Sequence, residues 1–208
     1  WYKKRSLREF MLDKFNINAS VASDEEIWSV KFGSRNIFGK VSRRIQKLLP
    51  YYRQRIITQP DEGYDPKIFK SPKNVYLSGY WASFYKCFQG ISDLIKKDIS
   101  LVTPMNNVNK TLSEEINSKE SVSIHIRRGD YLDDININRF GIQPLEYYYK
   151  AVQYISQKLK NPFFFIFSDD IKWAKENFPL DYPHKYISII ASSTAYYDLI
   201  HMSNCNHH

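Results

Sequence analysis

The C-terminal half of this chain reads as an α/β domain built on a parallel, doubly wound sheet. Three observations predict it. Strand-like and helix-like stretches alternate three times from about residue 120 to the end. The strand candidates SVSIHI, PFFFIFS and YISII are short and apolar enough to be buried. The segments between them carry helix punctuation: Pro144 opens PLEYYYKAVQYISQKLK and Asp169-Asp170 opens DDIKWAKENF, while TAYYDLIHMSNC forms a third helix. Alternation of this kind implies a parallel sheet, with ligand chemistry at the carboxyl ends of its strands.

The first half is less regular. Residues 1 to about 20 hold a mixed segment, REFMLDKFNI, and a basic stretch runs from Lys31 to Arg55. Within it Val41, Ile45, Leu48 and Leu49 are spaced to share one face of an amphipathic helix, with basic residues opposite. Such a helix is a solvated surface element, or alternatively a contact to an anionic membrane surface or glycolipid. Asp61 to Pro72 reads as an irregular connection, VYLSGYW as a short β-like run, and Phe84 to Lys97 as a helix. Residues 103–120 supply a linker and a polar helix around LSEEINS, a natural seam between domains. The expected domains are 1–110 and 111–208.

Net charge is +8, so the chain should attract anions: nucleic acid, an acidic membrane surface or a phosphorylated small substrate. The two cysteines, Cys87 and Cys205, define no disulfide framework and fit a reducing compartment. No apolar run is long enough to span a bilayer. Asn18-Ala-Ser20 and Asn109-Lys-Thr111 are formal glycosylation sequons of a kind common by chance.

Chemistry concentrates in SIHIRRGDY, where His125, Arg127 and Arg128 leave the first strand of this half and the chain turns at Gly129. Guanidinium groups make rigid bidentate contacts with phosphate oxygens, and the mouth of a doubly wound sheet suits a diphosphate. Asp130 is close enough in sequence to brace one of the two arginines, leaving the other for phosphate. Asp169-Asp170 follow the second strand, and three readings stay open for them: helix caps, donor-pocket residues, or metal ligands. His201, Cys205 and His208 share one helix face, with His207 adjacent. They are zinc-ligand types, but no further Cys or matching cluster completes a four-ligand site.

HIRRGDY, FSDD with a nearby Trp, and YYDLIHMSNCNHH together resemble the α-1,2-fucosyltransferases of glycosyltransferase family 11. LREFMLDKFNI and VYLSGYWASFYKCFQGISDLIKKDIS are similar to upstream segments of the same family, so the resemblance covers nearly the whole chain. It implies a GT-B-like fold of two Rossmann-type halves, the first on the acceptor side and the second binding the nucleotide sugar. It further implies inverting transfer of L-fucose from GDP-β-L-fucose to the 2-hydroxyl of a sugar, galactose by family expectation. No essential metal or other cofactor is expected. By position, His125 would approach the guanosine, Arg127 the diphosphate, and Asp198 the base or ribose. Arg128, Ser168, Asp169 and Asp170 would complete the donor pocket, and Arg127 and Asp130 would serve the transfer step, Asp130 by holding the arginine loop.

The family's Gly-rich segment near "GGLGNQMFQY" and its later "IIANSTFSWWGAW" segment are not within these 208 residues. The expectation is therefore a piece of a longer enzyme, inactive by itself, cytoplasmic or membrane-peripheral in a bacterium, with any anchor in the part upstream. Asp13, Asp130 and Glu146 are candidate bases, and none is distinguished. Two rival readings remain. A nucleic-acid-binding module would use aromatics among basic residues, as in YYRQR, but lacks a recognised motif. A sugar-nucleotide-binding protein without catalysis is the other.

Overall fold

A computed structural model describes residues 10–32, 45–59, 66–79, 81, 88–132, 137, 141–188 and 195–208. The architecture is mixed α/β with parallel sheets, and the chain divides into two compact units. One is Asn16–Ser100; the other joins Trp1–Phe15 to Leu101–His208, so the division falls at Ser100/Leu101.

The larger unit is organised by three parallel strands in the order β3–β4–β5: β3 (Glu120–Ile126), β4 (Pro162–Ser168) and β5 (His184–Ser188). The register sets Val122 beside Phe164, Ile124 beside Ile166 and Ile126 beside Ser168. These positions face one way, where α4 (Leu145–Ser156) and α5 (Ile171–Asn177) supply Val152 and Ala174 to a shared core, joined by Phe178 at the C-cap of α5. Alternate residues Phe163, Phe165, Phe167 and Ile187 face the other way, against α3 (Asn107–Asn117) and α6 (Ala195–Asn204) through Ile116, Leu112 and Met202. β4 is therefore covered on both faces, and its run of four residues Phe164 to Phe167 is fully buried. That explains why its sequence is continuously apolar instead of alternating.

The helices start where the sequence predicts. Pro144 is the N-cap of α4, and Asp170 caps α5 by accepting the Trp173 N–H at 3.1 Å. Asn106 caps α3 by accepting from Asn109 N at 3.0 Å. α3 and α6 are tied by buried His201, whose Nε2 lies 2.9 Å from Asn109 Oδ1 and whose Nδ1 lies 3.2 Å from Ser113 Oγ. A neutral imidazole satisfies both, donating from Nε2 and accepting at Nδ1. Burial also holds its pKa below the usual histidine value. The Asn109 sequon lies in this network: its Oδ1 faces His201 and its Nδ2 donates to Asn106 at 2.9 Å.

The smaller unit contains α1 (Asp24–Phe32), α2 (Ser92–Asp98) and a parallel pair, β1 (Ile56–Thr58) with β2 (Tyr76–Ser78). α1 carries a capping box with no counterpart among the sequence expectations: Glu26 N donates to Ser23 Oγ at 3.2 Å and Ser23 N to Glu26 Oε2 at 2.7 Å. Gly79, after β2, has φ +146°, and an added Cβ would meet Gln59 Cβ at 2.4 Å, so backbone conformation and close approach both require glycine there.

The amphipathic helix expected over Val41–Leu49 is corrected where it is described. Val41 lies outside the described residues. Gln46–Leu48 and Tyr51–Arg53 are separate 3₁₀ turns on either side of Pro50, which disfavours a helix running through it. Ile45 and Leu48 are exposed, whereas Gln46 is buried with its Oε1 accepting the Arg55 N–H at 3.0 Å. Of the helix expected from Phe84 to Lys97, residues 84–87 and Cys87 lie outside the description; the rest is a 3₁₀ turn leading into α2. Among the described residues no helix is long and apolar enough to cross a membrane.

Candidate functional site

β3 and β4 each run seven residues in register, so they end level, at Ile126 and Ser168. The two strand exits are thereby set side by side, Arg127-Arg128-Gly129 next to Asp169-Asp170. The Arg128 N–H donates to Asp169 Oδ1 at 2.8 Å. An added Cβ on Gly129 would lie 2.7 Å from Asp169 Oδ2, so a side chain there would displace the Asp169 carboxylate. Asp170 N donates to the buried Ser168 Oγ at 3.0 Å.

Arg128 is held from two sides. Its guanidinium carbon lies 3.6 Å from the Trp173 ring centroid, well within cation–π range. Its Nε is buried and 3.5 Å from Asp170 Oδ2, a charge pairing without hydrogen-bonding geometry. Among the described residues the two terminal nitrogens meet no protein acceptor. A guanidinium stacked and oriented in this way, with its donor fork uncommitted, can take a bidentate oxyanion. The carboxylate paired with Arg128 is thus Asp170, across the strand exits; the Asp130 side chain lies outside the described residues. Arg127 packs against Tyr131, its guanidinium carbon 5.3 Å from the ring centroid.

His125 sits on the α3/α6 face at the same end of β3, beside Phe167 in the register. It is exposed by surface area, yet surrounding protein desolvates it enough to hold its pKa below the ordinary value. Arg127 adds to that lowering and Asp169 opposes it. The imidazole is therefore neutral near pH 7. Asp198 lies in the first turn of α6, buried, and burial pushes its carboxyl up to about 6. His125, Arg127, Arg128, Ser168, Asp169 and Asp170 thus come together through the exits of β3 and β4, and Asp198 is carried by α6.

The other sequence candidates separate. Asp13 pairs with Lys14 at 3.0 Å and adds to the charge that, after a hydrogen bond with Tyr197 and burial, pushes Tyr196 up to about 12. Glu146 pairs with Lys150 at 2.8 Å on the exposed side of α4. His201 is committed to α3, Cys205 Sγ donates to His201 O at 3.5 Å, and His208 Nδ1 lies 2.9 Å from Ser123 Oγ. Among the described residues no three His, Cys, Asp or Glu groups stand close enough to hold a metal ion. Sequence reasoning missed Trp173 as the shelf for Arg128. Its signal was spacing: an aromatic three residues past the Asp170 cap faces the loop its neighbour pairs with.

A cavity of about 760 Å³ lies at the opposite, amino-terminal edge of the sheet, lined by Lys119, Lys160, Phe163 and Tyr182 among others. The charged fork and its supports lie instead at the exits, where open parallel sheets place ligand chemistry.

Comparison with known proteins gives the family. The profile of glycosyl transferase family 11 matches residues 54–208, which include every residue of the cluster. An α-1,2-colitosyltransferase of Escherichia coli is 31% identical over 219 aligned positions, covering 100% of this chain and 70% of that relative. The O-antigen biosynthesis glycosyltransferase WbnK of Escherichia coli is 33% identical over 111 positions, 51% of this chain and 35% of its own length. No solved structure matches the chain. On the family match and the relative aligned along the whole of this chain together, this chain belongs to glycosyl transferase family 11.

Proposed function

We infer that the protein is an inverting glycosyltransferase that moves L-fucose from GDP-β-L-fucose to the 2-hydroxyl of a galactoside, within a GT-B-like fold. The observation that carries this reading is Arg128, stacked on Trp173 and braced by Asp170 with its terminal nitrogens uncommitted at the end of β3. Bond cleavage at the sugar C1 leaves negative charge on the departing diphosphate. A pre-oriented guanidinium stabilises that charge without reorganising as it develops. Arg127, one residue earlier, adds positive charge at the same exit. With two guanidiniums supplying it, the transfer is proposed to run without an essential metal.

In this reading neutral His125 lies toward the guanosine and Asp198 accepts from its base or ribose. Ser168 and Asp170 fix the α5 entrance, and Asp169 with Asp130 holds the arginine turn. The unit Asn16–Ser100 would supply the acceptor side. Inversion requires the acceptor hydroxyl to lose its proton as the new bond forms on the face opposite GDP. Asp13 and Glu146 are tied to lysines, and neither is assigned that role.

A second reading changes only the donor. The relative aligned along the whole chain is named a colitosyltransferase, so GDP-colitose is the alternative sugar nucleotide. The test is GDP release by the full-length gene product, with GDP-fucose and GDP-colitose offered side by side, a galactoside acceptor, and EDTA in parallel. The proposal expects acceptor-dependent release from GDP-fucose that EDTA leaves unchanged. Release from GDP-colitose alone moves the assignment to the second donor, and release from neither removes both.

A further inference from the structure

The smaller unit holds a cavity with basic lining of its own. A cavity of about 360 Å³ in this unit is lined by Arg53 and Arg55, with Tyr52, Ser29 and Asn74 around them. Among the described residues no carboxylate lines it, and neither arginine has a carboxylate partner. This is the YYRQR segment, whose basic and aromatic character the donor site leaves unexplained.

Local structure explains why both guanidiniums serve one cavity. The 3₁₀ turn Tyr51–Arg53 passes into an extended backbone at Gln54. Gln54 sends its amide away to Leu49 O at 2.7 Å. Arg55 is fixed by its backbone, its N–H donating to buried Gln46 at 3.0 Å and its carbonyl accepting from Tyr76 N at 2.8 Å. The residues on either side of Gln54 are left to line the cavity. Two like charges lining one cavity with no described counter-charge favour a bound oxyanion. Arginine forks match phosphate oxygens, Asn74 can add a donor, and Tyr52, 59% exposed, offers a ring of the kind that packs against a sugar face.

We propose that Arg53 and Arg55 bind a phosphate group carried by the sugar acceptor, with Tyr52 alongside its neighbouring sugar. The identity of the ligand as an acceptor rests on the glycosyltransferase reading; the phosphate site does not. The phosphate can belong to a soluble glycosyl phosphate or to a membrane-borne glycan, and the chemistry recognised is the same.

The test uses the whole chain and inorganic pyrophosphate, followed by calorimetry in the presence of saturating GDP and, separately, in Arg128→Gln without GDP. Saturating GDP occupies the strand-exit arginines, and Arg128→Gln removes the pre-oriented one. Pyrophosphate should still bind in each, and Arg53→Ala/Arg55→Ala should weaken it by about tenfold to a hundredfold, the range for losing one or two charged contacts. Both side chains are exposed, so the variant should keep its melting temperature. Two further arms separate the sources. Retention on phosphatidic-acid vesicles that needs both arginines assigns a membrane-borne phosphate. Competition by galactose 1-phosphate without vesicle retention assigns a soluble one. Pyrophosphate binding that the double variant leaves intact, or that disappears with GDP and Arg128→Gln alike, overturns the site. Failure of GDP to bind with the Arg53/Arg55 response preserved would instead sink the donor reading.

Discussion

The two units reach their folds by different means. In the larger one, β4 places four consecutive residues, Phe164 to Phe167, at zero exposure between two helical layers. In the smaller one, Ile57 is the only apolar residue so deeply buried among the described residues, and its neighbour Leu77 across the parallel pair from it is half exposed. The first is held by burial on both sheet faces. The second relies on local devices: a capping box, 3₁₀ turns and the Gln46 clamp on Arg55. The contrast teaches that the rigid frame carries the oriented guanidinium, and the lightly packed unit carries the exposed ones.

The comparison breaks first at β4. Phe165→Ala should cost about 3–5 kcal/mol in chemical unfolding, the range for deleting a buried aromatic side chain. Leu77→Ala should cost under about 0.5 kcal/mol, as surface changes do. Equal losses at both positions would contradict the contrast.

Asp198 gives the next effect. Its folded pKa is raised, so the protonated form is favoured in the fold. That contribution is complete below the unfolded value, about 4, and is lost as pH rises through about 6. Asp198→Asn should therefore raise stability at pH 8 by up to about 3 kcal/mol and change little at pH 3.5. Thermal melts across that range check the sign; a variant stabilised equally at both pH values would show that burial of the carboxyl is not the cause. If Asp198 also accepts from the nucleotide, the same variant should bind GDP more weakly while melting higher.

The smallest effect concerns the shelf. Trp173→Leu keeps an apolar side chain but removes the ring under Arg128, and GDP affinity should fall about threefold to tenfold, the worth of a partly desolvated cation–π contact. Unchanged affinity would mean that Asp170 alone orients the guanidinium.

Legibility in the sequence divides along the same line. PFFFIFS, SVSIHI and YISII can be placed because two-sided burial writes itself as apolar runs, and their helices because Pro144 and Asp170 punctuate them. β1 escapes notice because three residues, Ile56–Thr58, carry no period, and a helix over Val41–Leu49 is expected because spacing alone cannot weigh Pro50 against a facing stripe. At the site, residue types are readable and pairing is not. Asp170 pairs with Arg128 through the strand register, and register between strands forty residues apart leaves no local mark. Equal seven-residue strands leading at once into Arg-Arg and Asp-Asp are the available clue.

The central claim is that Arg128 recognises a diphosphate. Calorimetry with GDP and GMP on the intact protein and on Arg128→Ala tests it most directly. The account predicts that the unaltered protein binds GDP at least about tenfold tighter than GMP and that Arg128→Ala loses most of that preference while keeping its melting temperature. An Arg128→Ala protein that binds GDP as tightly as before, with the same preference over GMP, would contradict it.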